Sequence, residues 1–417
     1  MTASIASYRR GAALPDSNPF QRLAALLDGE EPGMPPIVMT IGEPQHAIPD
    51  FTGEVLMENL ADFRRYPPIS GTPEFRGAVA DWLDRRYGLD GMIDRNRGVL
   101  PLNGSREGLS FGAIAARDQL GKDIDHPIVI LPNPFYQTYA AAAHIADARS
   151  LLLDAVAGHS FLPDLDSLDP RLLDQTVAFY VASPTNPEGS IADIGYLKRL
   201  IGLARKHRFF IFADECYSEI YRDTPPPGIL EAAKDLGGGL EKIIVLNSLS
   251  KRSNLAGLRC GFAAGDPDFL EKWAKFRGLA APQVPLPNQA VAVRAYGDEA
   301  HVIENRRLYN EKFAAAERYL APILGPVTPE AGFFLWLDIS RWGDSVSVTR
   351  DLWRDVGVKV LPGGYLASDQ ADGTNPGRSY IRVGLCAPLE ITETALERLA
   401  NWFGDKTLRN TTTGNGA

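Results

Sequence analysis

Through the middle of the chain, short apolar runs alternate with segments whose apolar residues recur at helical spacing. The runs are PIVIL (127–131), TVAFYVA (176–182), FFIFA (209–213) and KIIVL (242–246). Uninterrupted runs of this length suit strands buried on both faces, and their alternation with helices predicts an α/β domain around a mainly parallel sheet. Upstream, Asn18-Pro19 opens a short helical pattern through Leu23, Leu26 and Leu27, with Gly29 placed to close it. A proline-rich connector, EPGMPPIVMTIGEPQHAIPD, comes next. Thr72 then caps a helix with Pro73 at its first position, Phe75, Val79, Trp82 and Leu83 on one face, and Gly88 after its end.

From about Asp298 a long helical pattern runs through Val302, Tyr309, Phe313, Ala316 and Leu320 and stops near Pro322. Strand-like FFLWLDI (333–339), a helix over 348–356 and strand-like SYIRVGL (379–385) follow, which predicts a second, smaller α+β domain. The large domain is expected over 49–290. The small one is expected from both chain ends, 1–48 and 291–417. The tail TLRNTTTGNGA is polar and expected to fray.

Composition narrows the classes. The 417 residues are 45% hydrophobic and 23% charged, which excludes a disordered or collagen-like chain. With 43 Lys+Arg against 52 Asp+Glu the net charge is −9, so no overall field draws in nucleic acid or an anionic membrane, and neither is expected as a partner. The three cysteines are too few and too far apart for a disulfide framework or CxxC chemistry. No signal-peptide pattern opens the chain, and no run reaches the ~18 apolar residues of a membrane span. A cytoplasmic protein is expected, and the triplets at Asn103 and Asn410 are then chance matches to a glycosylation signal.

Each apolar run ends in polar residues: Asn133 with Tyr136, Ser183 with Asn186, Asp214 with Tyr217, and Ser248 to Lys251. Ligands of open α/β sheets sit beyond the carboxyl ends of the strands, so the four clusters point to one shared site, although each alone suits an ordinary turn. There is no GxGxxG after a strand, no GxxxxGK[ST], no GxSxG and no HExxH, and the six histidines are scattered, so no metal centre is expected.

The remaining residues suit pyridoxal 5'-phosphate. This cofactor requires a lysine amine, an acidic partner for its ring nitrogen, a flat neighbour for its ring and a cradle for its phosphate. Lys251 lies in SLSKRSNLAGLRCGF beside Ser248, Ser250 and the cation Arg259, which would help keep the amine neutral. Asp214 can hold the proton of the ring nitrogen or cap a helix. Tyr217 and Asn186 can hydrogen-bond the phenolic oxygen, or be a core tyrosine and a turn asparagine. Gly104, Ser105 and Arg106 open a helical pattern after VLPLNG, which is either a phosphate site or an ordinary serine cap. Tyr136 can stack on the ring or fill the core.

The motifs IGEPQHAIP, YPPISGTPEFR, NGSREG, PNPFYQTY, SPTNPEG, ADECYSEIY, SLSKRSNLAGLRCGF and SYIRVGL follow in order along nearly the whole chain. In this series the chain resembles the class I/II aminotransferases of the fold type I pyridoxal phosphate enzymes. The resemblance implies Lys251 as the lysine bonded to the cofactor, Asp214 at the ring nitrogen, Asn186 and Tyr217 at the phenolic oxygen, and Tyr136 stacked on the ring. It implies phosphate contacts from Ser105, Arg106, Ser248, Ser250 and Arg259. It further implies a homodimer in which Tyr66 reaches the neighbouring site, Arg382 as receptor of the substrate α-carboxylate, and Gly42 in a loop that closes over substrate.

Within the family, SKRSN with GLRCGFAAGD, DECYSEIYRDTPPPGILEAA, GDEAHVIENRRLYNEKF and DGTNPGRSYIRVGL are similar to the branch acting on succinylated diaminopimelate in lysine biosynthesis. That implies glutamate as amino donor, with Arg252 expected to orient a remote carboxylate. An aminotransferase acting on aspartate or aromatic amino acids, or a C–S lyase using the same lysine, is the alternative. Such anionic substrates would be drawn by a local pocket of Arg106, Arg252, Arg259 and Arg382 inside an acidic surface.

Overall fold

The computed structural model describes residues 18–413, with side chains to residue 407. The polar start (1–17) and the last four residues lie outside the described residues. In chain order the strands are β1 (Ile37–Val38), β2 (Val99–Leu102), β3 (Ile128–Asn133), β4 (Arg149–Asp154), β5 (Thr176–Ala182), β6 (Phe210–Asp214), β7 (Ile243–Ser248), β8 (Gly261–Gly265), β9 (Phe334–Asp338), β10 (Val358–Lys359), β11 (Leu361–Pro362) and β12 (Tyr380–Gly384).

Seven of them form one sheet in the order β2-β8-β7-β6-β5-β3-β4. The pairs from β4 to β7 are parallel, while β8 runs antiparallel to both β7 and β2. The expected runs are all strands, but three reach further into their polar ends: β3 to Asn133, β6 to Asp214 and β7 to Ser248. The ladder carries them there, through Asn133 opposite Asp154, Ala182 opposite Asp214 and Ser248 opposite Gly261. Strands β4 and β8 escape the sequence pattern. One is a half-buried edge strand, RSLLLD, and the other, GFAAG, is built of residues with little strand propensity.

Alternate residues of the sheet feed two apolar layers. Phe179, Ile211 and Val245 pack with Trp82, Leu83 and Leu200 on one side. Tyr180, Phe212 and Leu246 pack with Leu109, Ala113 and Trp273 on the other. The helix Ser105–Gln119 lies close to the second face because Gly108 and Gly112 turn towards it. A Cβ at Gly108 would stand 2.4 Å from Leu246, and one at Gly112 would stand 2.5 Å from Phe212. This fixes the start of that helix beside the ends of β6 and β7. The helix Pro73–Tyr87 is as expected: Thr72 Oγ1 accepts from the Phe75 amide at 3.1 Å, and Gly88 closes it with φ of 61°.

The smaller unit has the antiparallel sheet β11-β12-β9 and the parallel pair β1-β10, so the N-terminal segment is built into it. Its core joins Met39, Phe313, Leu320, Leu335, Leu352, Val383, Leu399 and Phe403. Three expectations change. The large-sheet core extends past residue 290 to Ala292, Ala295 and Tyr296. The long helix is Ala300–Leu324 and continues two residues past Pro322 before Gly325 (φ 81°) ends it. The last helix is Leu389–Thr413 and takes in most of the segment expected to fray. Leu396, Leu399 and Phe403 dock this helix on the core, and once nucleated it extends at little cost per residue. Among the described residues no helix is long and apolar enough to cross a membrane. A junction cluster of Ile220, Tyr309, Phe333, Phe334 and Cys386, with Tyr217 against it, joins the two units.

Candidate active site

The carboxyl ends of β3, β5, β6 and β7 open with the start of helix Ser105–Gln119 onto one cavity of about 720 Å³. Asp214, Lys251, Tyr217 and Asn186 line it, as do Ser105, Arg106, Tyr136, Ser248, Ser250 and Arg259 from the phosphate and ring expectations. Gly42 and Arg382 reach it from the smaller unit. Twelve of the fourteen expected positions therefore meet in one place; Tyr66 and Arg252 do not.

Asp214 ends β6 and is buried. Its Oδ2 accepts from the Tyr139 hydroxyl at 2.8 Å and its Oδ1 from the Cys216 amide at 3.2 Å. Burial pushes its carboxyl up, against the pull of these donors and of Lys251. Tyr139 was missed from the sequence, although it follows Tyr136 by one helical turn in FYQTY. No salt bridge holds Asp214 among the described residues, so a buried carboxylate faces the cavity with room for one more N–H.

Lys251 sits on the single turn Leu249–Arg252 directly after β7. Its Nζ donates to the Gly42 carbonyl and stands 5.2 Å from the centre of the Phe333 ring. Burial lowers its pKa from the ordinary 10.5, and the nearby cation that adds to this is Arg382, not Arg259 as the sequence suggested. Arg382 on β12 is itself buried: Nη2 donates to the Thr40 carbonyl at 2.9 Å, Nη1 to Asn186 Oδ1 at 3.2 Å, and the guanidinium lies 4.1 Å from the Phe334 ring centre. Burial lowers its pKa to about 10. Its Nε has no partner and no carboxylate pairs with it among the described residues.

At the far wall, helix Ser105–Gln119 starts at Gly104 (φ 79°) with no side-chain cap, so Ser105 is not the ordinary cap. Arg106 Nε donates to the Tyr136 hydroxyl at 2.6 Å. Arg259 Nη2 donates to the Asn103 carbonyl at 3.0 Å and lies over Gly104, where a Cβ would come within 2.3 Å of it. Helix amides and two guanidinium groups thus converge with Ser248 and Ser250, the donor set that a phosphate requires. Tyr217 packs edge-on against Phe333 at 5.2 Å, and burial pushes its phenol up.

Together, a carboxylate short of a donor, a half-buried amine, an orphaned guanidinium Nε and an uncapped helix start fit pyridoxal phosphate and an amino-acid carboxylate. Tyr66 is 98% exposed on the surface of this single chain.

The expectation for Arg252 is corrected. Its side chain turns into the core, where Nη2 pairs with Glu299 at 2.7 Å, Nη1 donates to the Ala295 carbonyl at 2.7 Å, and the guanidinium lies over Trp82 and Tyr296. Successive residues of a helical turn point about 100° apart, so Lys251 aimed at the cavity sends Arg252 away from it.

Residues 36–401 match the family described as aminotransferase class I and II. An LL-diaminopimelate aminotransferase of Dehalococcoides mccartyi is 30% identical over 374 residues, covering 88% of this chain and 91% of that protein. Among solved structures, an aminotransferase from Neisseria meningitidis is 37% identical with a TM-score of 0.87, over 93% of this chain and 98% of that one. A probable N-succinyldiaminopimelate aminotransferase from Thermus thermophilus is 26% identical with a TM-score of 0.80, over 92% and 100%.

Two outcomes are expected. Arg252→Ala destabilises the fold by about 2 kcal/mol, the scale of a lost charge-assisted hydrogen bond, and leaves substrate KM unchanged; a raised KM in a protein of unaltered melting temperature would restore Arg252 to the site. Because its lowered pKa leaves more of Lys251 as free amine at a given pH, the rate of cofactor capture by the apo-protein rises to its plateau with a midpoint below 10.5. A midpoint at or above that value would show an ordinary, solvated lysine.

Proposed function

The chain belongs to the class I and II aminotransferases, which depend on pyridoxal phosphate, and we propose on that premise that it passes an amino group between glutamate and N-succinyl-2-amino-6-ketopimelate, giving 2-oxoglutarate and N-succinyl-diaminopimelate. The observation that carries this is Arg382: a buried guanidinium that pairs with no carboxylate among the described residues, beside the Lys251 amine on the same cavity. Glutamate and the acceptor both present an α-carboxylate next to the reacting carbon, so one receptor serves both half-reactions. Arg offers it two parallel N–H donors in a fixed plane.

When bound, pyridoxal phosphate supplies a carbonyl for amine exchange and a conjugated ring that accepts the electrons of the substrate Cα–H bond. The residues of the chain do the rest. Asp214 holds the proton on the ring nitrogen, and Tyr139 holds Asp214. With the cofactor bound, Lys251 Nζ would take the proton from the substrate Cα and return it, a task that suits an amine whose pKa burial has lowered. Tyr217 and Asn186 donate to the phenolic oxygen. Arg382 orients the carboxylate, Phe334 and Tyr136 keep water from the reacting atoms, and Arg106, Arg259 and the helix start hold the phosphate.

Met57, Leu60, Phe63 and Tyr66 are all exposed on one stretch of the chain. A second copy covering that stretch, with Tyr66 reaching its site, accounts for them as a homodimer.

Similarity to the Dehalococcoides and Thermus proteins supports the diaminopimelate branch. The name of the former favours a second reading, LL-diaminopimelate without the succinyl group. With Arg252 removed from the cavity, no guanidinium among the described residues lines it other than those given to phosphate and α-carboxylate.

Incubation of the cofactor-loaded protein with 2-oxoglutarate and a panel of donors separates the readings. Glutamate formation with the highest kcat/KM from N-succinyl-diaminopimelate is expected; preference for the free diamino acid would establish the second reading, and preference for aspartate or aromatic donors would overturn both. Arg382→Lys should raise KM for both substrates at least about tenfold, roughly 1.4 kcal/mol of binding, and an unchanged KM would remove Arg382 as the carboxylate receptor.

A further inference from the structure

Behind the cavity lies a line of buried polar side chains that the reaction as described does not use. Lys312 and Asn305, both on the helix Ala300–Leu324, are 2% and 3% exposed. Lys312 Nζ lies 2.7 Å from His46 Nε2, His46 Nδ1 lies 2.8 Å from Asn305 Oδ1, and Asn305 Nδ2 donates to the Lys251 carbonyl at 3.1 Å and the Arg252 carbonyl at 3.4 Å. Lys312 has no carboxylate partner among the described residues; its remaining contacts are the Cys386 carbonyl at 3.4 Å and the face of Tyr309.

Elementary chemistry fixes the direction of this line. An ammonium only donates, so His46 Nε2 must accept and the ring proton sits on Nδ1. That proton is given to Asn305 Oδ1, which turns the amide nitrogen towards Lys251. The turn Leu249–Arg252 is too short to satisfy its own last carbonyls, and the Asn305 amide supplies the donor they lack. The same loop that carries His46 carries Gly42, whose carbonyl accepts from Lys251 Nζ, and Ala47, whose carbonyl accepts from Asn254.

We propose that Lys312, His46 and Asn305 are positioning residues for Lys251: a one-way hydrogen-bond chain that closes the turn carrying the lysine and ties it to the loop at residues 42–47. The reaction requires Lys251 Nζ to serve the same line of proton transfer in every turnover, and the chain holds the lysine at its main chain while leaving the amine free to swing.

Two further observations agree. Burial is the first cause that lowers both His46 and Lys312, the latter to about 8, and the Lys312 charge lowers His46 further, which keeps His46 neutral as the chain requires. The groups facing the pair are Tyr309 and Glu304 from the helix that carries Lys312 and Cys386 from the turn after β12; the Cys386 thiol also faces Lys251 and Arg382. Above about pH 8 Lys312 loses its proton, the ring tautomer is no longer imposed, and the hold on Lys251 slackens.

The inference rests on Lys251 as the cofactor's lysine, and the test separates the two. In the cofactor-loaded protein without substrate, the pH midpoint of the near-visible absorption reports the proton on the lysine–cofactor link. Asn305→Asp keeps the shape but gives no N–H to Lys251, and Lys312→Met replaces a buried cation by an apolar chain of similar length, a change that folds tolerate.

Each variant is expected to move the midpoint upward by about half a pH unit or more, about threefold in the proton equilibrium, as water gains access to the link. The double variant is expected to move it no further than one alone, because the three groups act as one chain. An unshifted midpoint in Lys312→Met, or shifts that add in the double variant, would overturn the proposal while leaving Lys251 in place. Absence of the near-visible absorption in the unaltered protein would overturn both.

Discussion

Three ionisable groups, the buried Asp214 and Arg382 and the half-buried Lys251, share one cavity without pairing with one another or with any other charge among the described residues. An unpaired charge withdrawn from water costs several kcal/mol, so each would relax towards solvent or an opposite charge if the structure let it. Neutral partners hold them instead: Tyr139 and the Cys216 amide for Asp214, the Gly42 carbonyl for Lys251, the Thr40 carbonyl and Asn186 for Arg382. The unspent capacity of the three groups is what a cofactor and an amino acid can use.

The fold meets that constraint by drawing the groups from separate rigid elements. Asp214 ends β6 and Lys251 sits on the turn after β7, and the register of these neighbouring parallel strands places Asp214 opposite Leu246. Arg382 comes from β12, on the other side of a junction of stacked aromatic rings in which Tyr309 lies parallel to Phe333 at 5.3 Å. The two close-approach glycines at 108 and 112 matter for the same reason, since they set the uncapped start of a helix at the end of the sheet that holds Asp214.

Strand cores and strand-end chemistry were legible because both are local. TVAFYVA is β5 without a change of boundary, and of the polar residues after the runs Tyr136, Asn186, Asp214, Tyr217, Ser248, Ser250 and Lys251 line the cavity, while Asn133 and Ser183 are spent on turn contacts with Ser368 and Ala192. What was not legible depends on partners far along the chain. RSLLLD and GFAAG become strands through their neighbours in the sheet and not through propensity. The pattern around Lys251 is silent on which way Arg252 points, since that is decided by Trp82, Tyr296 and Glu299. Tyr139 reads as a core aromatic until the end of β6 is placed beside it, and Lys312, His46 and Asn305 stand 266 and 259 residues apart from their partners in the line.

The central claim is that the cavity is assembled around one covalent anchor. Borohydride reduction of the cofactor-loaded protein, followed by digestion and mass spectrometry, fixes the cofactor to the nitrogen that holds it. The account predicts a single pyridoxyl group on the peptide containing Lys251, prevented by Lys251→Ala. Modification of another lysine in the unaltered protein, or none at all, would contradict it.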